Sequence, residues 1–275
     1  MRKRTRQVSV GGVLIGGDSP VKIQSMTTTK TSDTEGTAAQ IGRLEEAGCE
    51  IVRVAVADEA DARAIAAVKG KIRIPLVADI HFSPRLAVLA VENGADKIRI
   101  NPGNIGGERE IAYVADCVRA HHIPVRVGAN TGSIEKEFLE KYGRSAEALV
   151  GSALYNVGIL ERHGVEDIVI SVKASDVPLT TKAYTLLSER TDYPLHVGVT
   201  EAGTTEAGIV KSAVGIGSLL LNGRSRPRPF PPPVRRSGRG RRSCGRAAWK
   251  RTTSKWSPAP PAAGANGRAW RWRRR

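Results

Sequence analysis

The stretch IPLVADIHFSPRLAVLAVENGADKIRIN, residues 74–101, decides the fold. It opens on an apolar run of strand length and turns at Ser83-Pro84 into a helical pattern. It stops at Asn93-Gly94 and enters a second apolar strand at Asp96. Serine followed by proline is a helix start, because the proline's missing N–H falls where no intrahelical partner exists. The helix is expected to bury Leu86, Leu89 and Ala90 on one face. Strand, helix and strand in so short a space form a βα unit, whose two strands must be parallel.

The same unit repeats on both sides. Strands are expected at 21–26 (VKIQSM), 50–56 (EIVRVAV), 74–82, 96–101, 123–130 (IPVRVGAN), 167–175 (DIVISVKAS) and 193–200 (YPLHVGVT). Helical segments lie between them. One places Ile41, Leu44 and Ala47 at helical spacing before Gly48. Another starts near Ser145, carries Leu149, Ala153 and Leu160, and ends at His163-Gly164. Seven βα units with near-continuous Val/Ile strands imply an α/β fold, a (β/α)8 TIM-type barrel that is incomplete by one unit. Ahead of it, QVSVGGVLIGG (7–17) alternates around Gly11-Gly12 and is expected to form a β-hairpin.

Composition divides the chain in two. Residues 222–275 hold 15 Arg and 2 Lys with no Asp or Glu. The first 221 residues therefore carry 26 basic and 27 acidic side chains, and the net charge of +16 belongs to the tail. The expected domains are a barrel over 1–222 and a disordered Arg/Pro/Gly-rich tail over 223–275, which has too few apolar residues to bury a core. Its Arg, Pro, Ala and Gly share GC-rich codons, which suggests an out-of-frame translation. A tail of Arg and Trp would also bind nucleic acid through phosphate contacts and base stacking, without that being its role. Cys49 and Cys117 are not spaced as a disulfide framework or metal knuckle. No signal peptide or membrane-length apolar run is read, so a cytoplasmic protein is expected.

Residues i, i+2 and i+4 of a barrel strand share a face, and reactive groups gather at the strands' C-terminal ends. There this sequence places Arg53, the pair Asp79 and His81, the pair Arg99 and Asn101, and the run Arg126, Gly128, Asn130. Ser171, Lys173 and Ser175 follow, then His196, Gly198 and Thr200, with Glu201 just beyond. Any one has a bland reading: half of a structural ion pair for an arginine, a hydrogen-bonded core residue for His196, a metal ligand for Asp79 or His81. Together, three arginines and a lysine on one rim make an anion site, since guanidinium forks match phosphate oxygens. The substrate class read from the residues is a small molecule with two phosphoryl groups.

The strings VKIQSMT, IVRVAV, PLVADIHF, KIRINPGNIG, PVRVGANTGSIEK, SVKASDV and HVGVTEAG, in this order, resemble the barrel of the 4-hydroxy-3-methylbut-2-enyl diphosphate synthases over roughly residues 5–222. The resemblance implies reductive conversion of 2-C-methyl-D-erythritol 2,4-cyclodiphosphate to 4-hydroxy-3-methylbut-2-enyl diphosphate. It implies Arg53, Arg99, Arg126 and Lys173 as the diphosphate clamp, and Asn130 and Ser171 as supporting donors. Asp79 and His81 would lie near the polyol end, with Asn101 and His196 as further substrate-binding candidates and Glu201 as the proton-handling group. It also implies a [4Fe-4S] cluster fed by flavodoxin or ferredoxin, held on a C-terminal domain that caps the partner's barrel in a homodimer. That domain's cysteines, and an eighth strand with a further Arg and Ser, are not found after LLLNG. Cys244 has no C-x-x-C partner, so no metal ligand is assigned here and the chain alone is expected to be inactive. A cluster-free barrel resembling dihydropteroate synthase is the competing enzyme reading.

Overall fold

The computed structural model describes residues 3–81, 83–101, 105–200 and 203–221. The tail, Glu201 and the expectations attached to them lie outside the described residues.

The chain opens with an antiparallel hairpin, β1 (Gln7–Val10) and β2 (Val13–Gly16), joined by Gly11 and Gly12. Both glycines take positive φ, +52° and +84°. A two-residue turn needs that backbone to match the strands' twist, and side chains resist it. Six parallel strands follow: β3 (Gln24–Met26), β4 (Ile51–Val56), β5 (Leu76–Ile80), β6 (Lys97–Ile100), β7 (Val125–Asn130) and β8 (Ile168–Lys173). They pair in chain order as one curled sheet.

Six of the seven expected strands are thus present. The seventh, 193–200, sits beside β8 through a single bridge, Ile170 to Leu195. The Ile170 amide donates to Pro194 O and the His196 amide donates to Ile170 O. Pro194 has no N–H to extend the ladder below that bridge.

Helices α1 (Thr34–Glu46), α2 (Glu59–Lys69), α3 (Pro84–Glu92), α4 (Glu108–Ala120), α5 (Lys136–Tyr142), α6 (Ala146–Arg162), α7 (Val177–Arg190) and α8 (Thr205–Leu221) complete the described elements. Ser145 caps α6 by accepting from the Ala148 amide. Ser83 occupies the cap position of α3 without a side-chain bond. That helix buries Ala87, Ala90 and Val91, while Leu86 and Leu89 are only partly buried against the core. The expected face is rotated, because small residues let α3 approach the sheet closely.

The strands' outward side chains, such as Val52, Val54, Ala78, Ile98 and Val127, form the main core with the helices. A second, smaller core lies inside the curl. There Val8, Val10 and Ile15 of the hairpin pack on Ile51, Val77 and Val169, at the starts of β4, β5 and β8. Each such buried side chain contributes on the order of 1.5–3 kcal/mol. The hairpin therefore plugs the N-terminal end of the sheet. It is strapped there by Arg6, whose amide donates to Asp192 O, whose Nε meets Asp192 at 3.0 Å, and whose guanidinium lies 4.4 Å from the Tyr193 ring centroid. Among the described residues no helix is long and apolar enough to cross a membrane.

Candidate functional site

With one end plugged, the inward side chains at the other end enclose a cavity of about 200 Å³. Each parallel strand contributes to it. Met26 comes from β3, Arg53 from β4, Asp79 and His81 from β5 and the residue beyond it, and Arg99 from β6. Arg126 and Asn130 come from β7, Ser171 and Lys173 from β8, and Thr200 from the segment after. The alternation of the strands sets this arrangement: Ile51 and Val77 face the plug, and two residues later Arg53 and Asp79 face the cavity.

Asp79 is the hub. Only 2% of its side chain is exposed, and it accepts from Arg99 Nη1 at 3.0 Å. Its other oxygen lies 3.4 Å from Arg53 Nε and 3.5 Å from His81 Nε2. Burial alone would raise the Asp79 pKa, but Arg53, the His81 hydrogen bond, Arg99 and Arg126 overcome it and hold the carboxyl well below its usual range. Asp79 is therefore an ionised strut between arginines. Arg53 has a second support, since Met26 Sδ accepts from its Nε at 3.2 Å and its Nη2 at 2.9 Å.

One carboxylate does not balance three guanidiniums and an ammonium. Burial and the mutual repulsion of Arg53, Arg99 and Arg126 push the pKa of Arg126 far down. Burial and the same three arginines do so to Lys173. Arginine stays protonated in proteins, so its shift measures how unfavourable the accumulated positive charge is. The donors are also underused. Arg99 Nε and Arg126 Nε and Nη1 are buried and meet no hydrogen-bond acceptor among the described residues. Buried charged donors nearly always have partners in folded proteins. An anion with several oxygens satisfies them.

Gly128 shapes the wall between these groups. A Cβ there would lie 2.9 Å from Arg99 Nε, 3.3 Å from its Nη2 and 3.1 Å from Ser171 Oγ. Its absence lets the Arg99 guanidinium lie flat against β7 while Nη1 reaches back to Asp79.

Of the expected site residues, Arg53, Asp79, His81, Arg99, Arg126, Asn130, Ser171 and Lys173 line this one cavity. Asn101 and His196 do not line it. Asn101 is 4% exposed, and His196 is wholly buried in the sheet interior. Burial, followed by Arg126, Lys173 and Lys97, drives the His196 pKa well down, so the imidazole is neutral. Two lining residues were given no role in the sequence reading, Met26 and Thr200. Thr200 shares the face of His196 and Gly198, a signal that was available; an apolar Met26 gives none. Lys97, fully buried and two residues before Arg99 on the same face, was also passed over.

A family model described as the GcpE TIM-barrel domain matches residues 5–225. The chain belongs to the GcpE family. Among curated relatives, the 4-hydroxy-3-methylbut-2-en-1-yl diphosphate synthase (flavodoxin) of Caldanaerobacter subterraneus is 58% identical over 224 residues, which cover 81% of this chain and 63% of that one. The enzyme of the same name from Desulfotalea psychrophila is 56% identical over 226 residues, 81% of this chain and 62% of its own. The chain thus spans somewhat over three-fifths of these GcpE-family relatives. Dihydropteroate synthase from Stenotrophomonas maltophilia superposes with a TM-score of 0.60 at 16% identity, covering 82% of this chain and 92% of that one. At that identity the likeness is one of fold alone.

Proposed function

We propose that this chain forms the substrate-holding barrel of a GcpE-family enzyme that reduces 2-C-methyl-D-erythritol 2,4-cyclodiphosphate to 4-hydroxy-3-methylbut-2-enyl diphosphate. The observation that carries the reading is the set of buried guanidinium donors on Arg99 and Arg126 that meet no acceptor among the described residues, in a cavity to which those residues bring four cations and one carboxylate. Two phosphoryl groups supply both the charge and the oxygens this set lacks. Flavodoxin, after which the relatives are named, is the proposed electron donor.

In this reading Arg126 and Lys173 grip the diphosphate from β7 and β8, while Arg53 and Arg99 are held at the right height by Asp79. Asn130, Ser171 and Thr200 supply neutral polar contacts around it. Each hydrogen bond from a charged donor contributes about 1.5–3 kcal/mol. His81, at the rim with 41% of its side chain exposed, faces the part of the ligand nearest the opening. Glu201 remains the proposed proton-handling group by resemblance.

The described residues do not fit an iron–sulfur cluster. Among them no group of three or more His, Cys, Asp or Glu is placed to hold a metal. Cys49 is buried with its thiol on Ile51 O, and Cys117 sits on α4. No step is routed through a cluster here; the barrel's part is to bind, orient and desolvate.

Calorimetric titration of the full chain with the cyclic diphosphate tests the reading. Binding is expected to exceed that of inorganic sulfate, and Arg126→Leu is expected to weaken it at least about tenfold, the loss of one charged hydrogen bond. Equal affinity for both anions, or indifference to the substitution, overturns the reading.

A further inference from the structure

Met26 is one of only two methionines in the chain, the other being Met1. Its thioether lines the cavity and is half-buried, and it accepts from two nitrogens of Arg53. A thioether is a weak acceptor. It holds a guanidinium in place and gives it up readily to a stronger acceptor such as a phosphate oxygen. The sulfur is also the one atom of the clamp with oxidation chemistry of its own, and its side chain is only half-buried where it lines the cavity.

We propose that Met26 is a peroxide-sensitive modification site whose oxidation disables the diphosphate clamp. This rests on the reading of the cavity as a diphosphate site. The Sδ lone pair attacks one oxygen of a hydroperoxide, and an S–O bond forms as the O–O bond breaks. The thioether is oxidised to the sulfoxide and hydrogen peroxide is reduced to water. The new oxygen is a strong, polar acceptor attached to the atom that already faces Arg53 Nε and Nη2. It takes those two donors for itself and adds bulk within a cavity of about 200 Å³. Arg53 Nε also lies 3.4 Å from Asp79, so the nitrogens on this edge of the guanidinium are then lost to a ligand.

The full chain is treated with hydrogen peroxide, the oxidant is removed, and peptide mass spectrometry locates the added oxygen. Affinity for inorganic pyrophosphate is then measured by calorimetry. Oxidation at Met26 is expected to weaken binding about tenfold or more, the loss of one charged hydrogen bond from Arg53. Methionine sulfoxide reductase is expected to restore it. Met26→Leu, whatever its own affinity, is expected to show no change on peroxide treatment. Met26→Gln, which places an amide oxygen near Arg53, is expected to bind weakly without any oxidant. Unaltered affinity in protein carrying the Met26 sulfoxide overturns the proposal, as does an equal loss in peroxide-treated Met26→Leu. Failure of the untreated chain to bind pyrophosphate is a separate result, and it strikes the diphosphate reading itself.

Discussion

Replacing Gly128 by alanine adds one methyl group at the most crowded point of the cavity wall. The new carbon would sit 2.9 Å from Arg99 Nε and 3.1 Å from Ser171 Oγ, closer than a methyl tolerates, so the guanidinium must swing away. Two effects on stability oppose each other. Overpacking costs about 1–3 kcal/mol, while removing a strand glycine recovers about 0.5–1 kcal/mol. The folded state is thus weakened by about 2.5 kcal/mol at most. Binding suffers differently, because Arg99 loses its alignment with the ligand: one charged hydrogen bond, about 1.5–3 kcal/mol, is about 10- to 150-fold in affinity. Calorimetry with the cyclic diphosphate, run as a double-mutant cycle with Arg99→Ala, isolates the cause. Gly128→Ala should weaken the wild-type background by that factor and have little effect once Arg99 is gone. Additive losses in the double variant would refute the idea that the glycine acts through Arg99.

Three other outcomes are expected. Asp79→Asn removes the only carboxylate among the described residues that line the cavity and should destabilise the free protein by about 3–5 kcal/mol, the cost of stranding buried charge; denaturant unfolding with and without pyrophosphate should show partial rescue by the anion. Binding of the cyclic diphosphate, whose phosphates are esterified and carry no proton near neutrality, should take up protons. Burial and neighbouring arginines depress the Lys173 pKa in the free site, and an anion raises it again, so uptake appears at pH values between the two and vanishes in Lys173→Met; calorimetry in buffers of different ionisation enthalpy reads it. Tyr193→Phe deletes the hydroxyl that donates to Glu161 Oε1 at 2.8 Å and accepts from Arg6 Nη1 at 3.1 Å. It should cost about 1–2 kcal/mol and speed amide exchange in β1 and β2, with diphosphate affinity unchanged.

Much of the site was legible because strand alternation is a strict rule. Once Val52 and Val54 face the helices, Arg53 has to face inward, and the same holds for Asp79, Arg99, Arg126 and Lys173. Relations between strands were not legible. The dual role of Asp79 depends on the register that sets it opposite Arg99, and the need for glycine at 128 depends on an arginine from the adjacent strand. Spacing along one strand carries neither fact. His196 and Asn101 obey the alternation but are buried without lining the cavity, since a face says nothing about what packs over a side chain. The rotated face of α3 has a similar origin: leucine is the more apolar residue, yet alanine permits the closer approach to the sheet. The weak pairing at 193–200 follows from Pro194, visible in the sequence but outweighed there by its apolar neighbours.

The hairpin's wedge of Val8, Val10 and Ile15 gives the chamber a floor. Among the described residues, a ligand seated against Arg126 is shut off from the N-terminal end of the sheet, while His81 on the cavity wall is 41% exposed. Under the proposed function, entry and release then share one side of the cavity, and a product slow to leave delays the next substrate.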